Sequence, residues 1–207
     1  MKYIPMDLRV NTINNTCDMC NSTIYEITAR QQYKLCASCN ITRKCKCCDI
    51  KKADDIYYPY CINCYSGLLR LSIIVPEHIY ISDYYTAQNY ELLAYCGIKQ
   101  ILTIGKELPA HNTPKFETMY ISLDDHPNED ISTHFTKANE FIHKAPTLIH
   151  CYAGVSRSVS LVLSYLITHL NMTLDEALTY CKQRRPHINP NYGFLQQLKK
   201  YEKEIKE

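Results

Sequence analysis

The stretch that most constrains this chain is His150-Cys151-Tyr152-Ala153-Gly154-Val155-Ser156-Arg157-Ser158. Before it, Thr147-Leu148-Ile149-His150 has the β-branched and aliphatic character of a buried strand. After it, residues 158–169 are apolar almost all round, through Val159, Leu161, Val162, Leu163, Tyr165, Leu166 and Ile167, which predicts a helix buried on every side. The intervening loop then offers backbone N–H groups at a helix N-terminus, where donors lack intrahelical partners and the dipole is positive. Residues 151–156 are therefore expected to hold an anion.

Into that site the sequence places Cys151 at the start and Arg157 six positions later, with Gly154 between them to let the backbone curl around a ligand. The dipole and the guanidinium both favour a thiolate at Cys151. Arg157 offers a planar donor fork that matches two phosphate oxygens. The loop thus puts a nucleophile beneath a bound phosphoryl group. Cys96 and Cys181 fall on apolar helical faces instead, which assigns them to the core.

His-Cys, five residues, Arg-Ser resembles the signature of the cysteine-based protein phosphatases, and HCYAGVSRS is similar to their dual-specificity branch. The resemblance runs over residues 73–204 and includes Pro76-Glu77-His78-Ile79-Tyr80-Ile81 and Arg184-Arg185-Pro186-His187-Ile188-Asn189-Pro190-Asn191. It departs at Ser82, where the family usually has glycine after the first strand. The resemblance implies that Cys151 attacks phosphorus to form a phosphocysteine, without catalytic metal or other cofactor. Tyr152, Ala153, Gly154, Val155, Ser156 and Arg157 would bind the substrate phosphate. His150 would hold the loop and support the thiolate, and Ser158 would donate to the sulfur as it departs. A general acid is also needed near the leaving oxygen. Asp124 and Asp125 follow a strand in Leu123-Asp124-Asp125-His126-Pro127, and the family pattern selects Asp125, with Asp124 the alternative.

Around the loop, Ile79-Tyr80-Ile81 reads as a first strand, residues 98–104 as a second and 116–123 as a third. Ala87, Tyr90, Leu93 and Ala94 share one helical face, which Gly97 ends. Ile131, Phe135, Ala138 and Ile142 follow helical spacing. Past the buried helix, Thr173 and Glu176 stand at capping-box spacing, and Asn189-Pro190 opens a last helix carrying Phe194, Leu195, Leu198 and Tyr201. Strands alternating with helices predict an α/β fold with a largely parallel central sheet flanked by helices, the cysteine-phosphatase fold by resemblance, over residues 73–207. Its loop would lie at the carboxyl end of a strand, where open α/β sheets bind ligands.

Residues 1–68 are of a different kind. Cys17/Cys20, Cys36/Cys39, Cys45/Cys48 and Cys61/Cys64 form CxxC pairs, each able to place two sulfurs on one Zn²⁺, so the block predicts a small zinc-binding domain with two tetrahedral Cys₄ sites. The pairs can combine sequentially or interleave; the spacing resembles cross-braced RING, PHD and FYVE fingers. No ligand histidine is present and Arg30 to Cys36 lacks the FYVE basic motif, so neither ubiquitin ligation nor lipid binding carries over. Cys47 is a bystander. Such a module suits docking of a protein partner, and the cluster Arg43, Lys44, Lys46, Lys51, Lys52 reads as a solvated face.

Paired thiolates imply a reducing, intracellular compartment, cytoplasmic or nuclear. No signal peptide or run of about 20 apolar residues is present, and a net charge of +2 gives no electrostatic reason for a nucleic-acid or membrane surface. The expected substrate is a phosphoprotein bearing phosphotyrosine or phosphoserine/threonine. An RNA 5′-triphosphatase, a phosphoinositide phosphatase or an inactive phosphate-binding module are the alternatives. Against the first two, the loop has no Lys or His between Cys151 and Arg157 for further phosphates and lacks the HCTHGxNRTG wording of the RNA enzymes. For the zinc block, metal analysis should give two zinc ions per chain. Chelation should unfold residues 1–68, and mass spectrometry should find no disulfides among the eight cysteines; fewer than two zincs refutes the reading.

Overall fold

The computed structural model describes residue 47 and residues 62–207. The chain divides into two compact units, Met1–Tyr65 and Ser66–Glu207. The zinc ligands read at Cys17, Cys20, Cys36, Cys39, Cys45, Cys48 and Cys61 lie outside the described residues; Cys64 is buried in helix α1 (Ile62–Arg70), and Cys47 sits in a turn. Among the described residues no helix is long and apolar enough to cross a membrane.

The second unit is built on a sheet of five strands, β1 (Ser72–Val75), β2 (Ile79–Ser82), β3 (Gln100–Ile104), β4 (Glu117–Ile121) and β5 (Thr147–His150), in the order β1-β2-β5-β3-β4. β2, β5, β3 and β4 pair in parallel, and β1 is antiparallel at one edge. The sequence reading lacked β1. Its apolar run is cut short by Pro76, and the chain reverses through Glu77 at φ 60° to begin β2, so β1 carries no strand-length pattern of its own.

β5 lies between β2 and β3, in register at Ile81↔Ile149 and Leu102↔Ile149. Every residue of β2, β3 and β5 is buried, as expected of parallel strands covered on both faces. Alternation divides them. Ile79, Ile81, Leu102, Ile104 and Ile149 join the larger core with helices α4 (Phe135–Lys144), α5 (Arg157–His169), α6 (Leu174–Arg184) and α7 (Tyr192–Lys206). Tyr80, Ile101 and Leu148 join Ala87, Leu93 and Ile98 in a smaller core on the other face. α5 is buried from Arg157 through Ile167, the all-round burial its composition predicts.

Two details differ from the sequence reading. The helix expected across Ala87 to Ala94 is broken into α2 (Tyr84–Ala87) and α3 (Tyr90–Tyr95), because Asp83 and Asn89 each cap a new start by accepting from Thr86 N and Leu92 N. Leu92, rather than the exposed Ala94, therefore faces the core; Gly97 does end α3, at φ 79°. The last helix begins two residues later than Asn189-Pro190 suggests, with Asn191 as its cap, accepting from Phe194 N at 3.0 Å. The capping box of α6 is formed by Thr173 and Glu176 as read.

Gly193, in the first turn of α7, is where the loop after β4 packs, and an added Cβ would strike the Pro127 carbonyl. Gly193→Ala is expected to displace residues 124–128 and destabilise the protein by about 1–3 kcal/mol. A denaturant midpoint unchanged from wild type would contradict this packing.

Candidate active site

The parallel order brings the carboxyl end of β5 to the middle of the sheet, and α5 starts directly above it. Between them residues 151–156 turn their N–H groups inward, so their carbonyls point into protein and each needs a donor. Every one has it. The Cys151 carbonyl faces His150 Nδ1 at 3.2 Å, and the Tyr152 carbonyl accepts from Tyr84 N at 2.9 Å. Arg185 supplies two carbonyls, giving Nε to Gly154 at 2.7 Å and Nη2 to Ala153 at 3.3 Å. Val155 accepts from Asn189 N at 2.9 Å, and Ser156 from both the backbone and hydroxyl of Ser160. Gly154 sits at φ 68°, and a Cβ there would meet the Ser82 carbonyl and, at 2.7 Å, Arg185 Nη2. The glycine is required by close approach as well as by its conformation.

Ser156 occupies the cap position of α5 but makes no side-chain cap. Its hydroxyl instead donates to Asp125 Oδ1 at 2.7 Å, leaving the helix N-terminus to the space above the loop. Cys151 is buried at the base of that space, its Sγ 3.3 Å from the Ser158 hydroxyl. Burial pushes the thiols of Cys96 and Cys181 up, to about 11 and about 12, so neither is a thiolate near neutral pH.

Arg157 is 5% exposed. Its Nη1 and Nη2 grip Glu107 at 2.7 and 2.6 Å, Nη1 also donates to the Leu123 carbonyl at 3.2 Å, and the hydrogen bond from Arg157 holds the Glu107 carboxyl below its ordinary range. Nε lies 3.6 Å from Asp125 Oδ2 and, among the described residues, is the buried side-chain nitrogen or oxygen with no hydrogen-bond partner.

The two loop aspartates separate. Asp125 turns inward, and its Oδ1 accepts from Ser156 and from Asn191 Nδ2 at 2.8 Å. Asp124 turns outward to pair with Lys106 at 3.2 Å. Cys151, Asp125, Arg157 and Ser158 thus gather around the one loop formed by Tyr152, Ala153, Gly154, Val155 and Ser156, with His150 at its base. Sequence reading missed Glu107, Arg185, His111 and Asn191. Arg185 and Asn191 lie within the segment quoted for the resemblance; Glu107 and His111 lie in the β3–β4 connection, which carries no periodic signal.

The chain is similar to several known phosphatases. The chain is 33% identical over 159 residues to tyrosine-protein phosphatase yvh1 of Schizosaccharomyces pombe, covering 74% of this chain and 46% of the relative. It is 40% identical over 124 residues to human dual specificity protein phosphatase 14, covering 58% and 63% respectively. The chain therefore spans less than half the length of the first relative and under two thirds of the second. Among solved structures, the human tyrosine phosphatase-like serine/threonine/tyrosine-interacting protein superposes with a TM-score of 0.62 at 28% identity, over 66% of this chain and 98% of that one. Residues 79–204 match the family model described as the dual specificity phosphatase catalytic domain. With that match covering more than half of the chain, the protein belongs to the dual-specificity phosphatase catalytic-domain family.

Proposed function

We propose that this chain is a protein phosphatase that hydrolyses phosphotyrosine and phosphoserine/threonine through a phosphocysteine. The observation that carries the reading is the convergence of Cys151 Sγ, the Arg157 guanidinium and the Asp125 carboxyl around the loop at the start of α5. A bound phosphoryl group meets the loop amides and Arg157 Nε. The Cys151 thiolate attacks phosphorus, the P–O bond to the substrate breaks, and Asp125 gives its proton to the leaving oxygen. Oδ1 is engaged by Ser156 and Asn191, so Oδ2 is the oxygen left to carry that proton. In the second step Asp125 takes a proton from the attacking water, the S–P bond breaks, and the Ser158 hydroxyl donates to the departing sulfur at the 3.3 Å contact already present.

A monophosphate flanked by protein is the better charge match, because the loop offers Arg157 and no second cation for further phosphates. The neutral wall of Tyr152, Ala153 and Val155 favours this reading over a triphosphorylated RNA or an inositol lipid. The N-terminal cysteines are proposed to hold two structural zinc ions in a partner-docking module, on the support of their spacing alone. Their thiol chemistry supports an intracellular setting.

Cys151→Ser should abolish turnover of a phosphotyrosine peptide while leaving inorganic phosphate binding and the thermal melt unchanged; appreciable residual turnover excludes the covalent route. Asp125→Asn should slow that hydrolysis by about 10²–10⁴-fold, and affect far less an ester whose leaving group needs no proton. Asp124→Asn should leave both rates nearly unchanged. A reversal between the two aspartates, or a greater efficiency on triphosphorylated RNA or inositol lipid than on phosphopeptides, would overturn the assignment.

A further inference from the structure

Behind the loop, Tyr90 of α3, His111 of the β3–β4 connection, Thr103 of β3 and His150 of β5 form one hydrogen-bonded row. Tyr90 OH is 2.9 Å from His111 Nδ1, and His111 Nε2 is 2.9 Å from His150 Nε2. Thr103 Oγ1 is 2.8 Å from the same His150 Nε2, and His150 Nδ1 reaches the Cys151 carbonyl at 3.2 Å. His150 is fully buried, His111 is 9% exposed, and the two rings meet edge to face with centroids 5.0 Å apart.

The carbonyl end fixes the protons. A carbonyl oxygen only accepts, so His150 carries its proton on Nδ1. Burial first, and His111 second, push His150 down to about 3, so its ring is neutral and Nε2 holds a lone pair. Thr103 Oγ1–H and His111 Nε2–H are the two donors placed to share it. His111 is itself lowered by burial, so its Nδ1 is the acceptor and the Tyr90 hydroxyl donates. These tautomers are assigned from the network, and in it every proton points from Tyr90 towards the nucleophile's own carbonyl. Burial, rather than the row itself, keeps His150 uncharged, and the row then carries one consistent set of donors.

We propose that His111 is a positioning residue: by donating to His150 Nε2 it holds His150 in the tautomer whose Nδ1–H binds the Cys151 carbonyl, and so keeps the start of the loop in thiolate-stabilising shape. The inference rests on the reading of Cys151 as the nucleophile. The other groups facing His150 are Asp83 at the α2 cap and the ring of Tyr84; those facing Cys151 are Arg157, Arg185 and Ser158. None of them reaches His150 Nε2. Among the described residues Thr103 alone does so besides His111, and a freely rotating hydroxyl serves either tautomer equally.

The test is alkylation of Cys151 by iodoacetate in the full chain, read by mass spectrometry of the Cys151 peptide across the acid to mildly alkaline range. Wild type is compared with His111→Ala, His111→Gln and Tyr90→Phe, each with a thermal melt. His111→Ala should slow alkylation near about pH 6 by roughly 3- to 10-fold, the worth of one net hydrogen bond. It should also displace the pH profile upward and lower kcat on a phosphotyrosine peptide more than it raises KM. His111→Gln, whose amide N–H can still donate, should recover most of both. Superimposable profiles for wild type and His111→Ala, or equal defects in the Ala and Gln variants, would overturn the proposal. If His111→Ala fails to fold, Tyr90→Phe decides it: a smaller displacement in the same direction supports the row, and none overturns it. Failure of the underlying reading looks different, since Cys151→Ser would then retain turnover whatever the alkylation profiles show.

Discussion

The constraint on which the rest of the structure depends is the demand made by a loop whose carbonyls all point into protein. Turning the N–H groups of residues 151–156 inward forces their carbonyls outward into dry protein, where each unmet acceptor costs about 1–3 kcal/mol. The surrounding elements can be understood as the supply of donors. The α2 start gives Tyr84 N, the α6–α7 connection gives Asn189 N, and the last residue of β5 gives His150 Nδ1. Arg185 answers two carbonyls and also donates from Nη1 to the Arg70 carbonyl and the Ser72 hydroxyl, so one buried cation ties the loop to the edge of the sheet. A parallel sheet with β5 at its centre makes this possible, because donors can arrive from both sides.

That dependence explains what could be read in advance. The strand, the loop and the buried helix are contiguous, and their pattern of β-branched residues, glycine and unbroken apolar run is local, so Thr147 to Ile167 was legible in outline. The spacing of Cys151 and Arg157 across the loop pointed to an anion site, while the roles given to Cys151 and Ser158 came from the resemblance. Asp125 needed the resemblance, since two adjacent loop carboxylates have no periodicity to separate them; in the folded chain Asp124 finds Lys106 and Asp125 finds Ser156. Arg185, Glu107 and His111 were invisible because their meaning is entirely long-range. They stand 31, 50 and 39 residues from the groups they hold. The antiparallel β1 and the break between α2 and α3 were missed for the opposite reason: short elements set by one turn and two caps leave too little sequence to show a period.

Ser156 couples the two halves of the chemistry. As the cap residue of α5 it would ordinarily satisfy its own helix. Here its hydroxyl donates to Asp125 and accepts from Asn191 N, while Asn191 caps α7 and also donates to Asp125. The aspartate loop is therefore fastened to both helices that border the pocket, and Gly193 lets it lie flat on the second. One diverted hydroxyl both orients the carboxyl and keeps the α5 N-terminus open to an anion.

Arg157 shows how the site sets a donor in place in advance. Its two terminal nitrogens are committed to Glu107 and Leu123, which fixes the plane of the guanidinium at the cost of leaving Nε without an acceptor. At 3.6 Å the Asp125 carboxylate offers charge but no hydrogen bond, so the buried N–H remains unmet. In the proposed reaction an arriving phosphate oxygen would accept from it. Because Glu107 and Leu123 already fix the guanidinium, it loses little further rotational freedom on binding. Glu107 thus fixes the guanidinium from one side, while Nε and the second N–H of Nη2 form the fork that the proposed reaction would turn towards a phosphate.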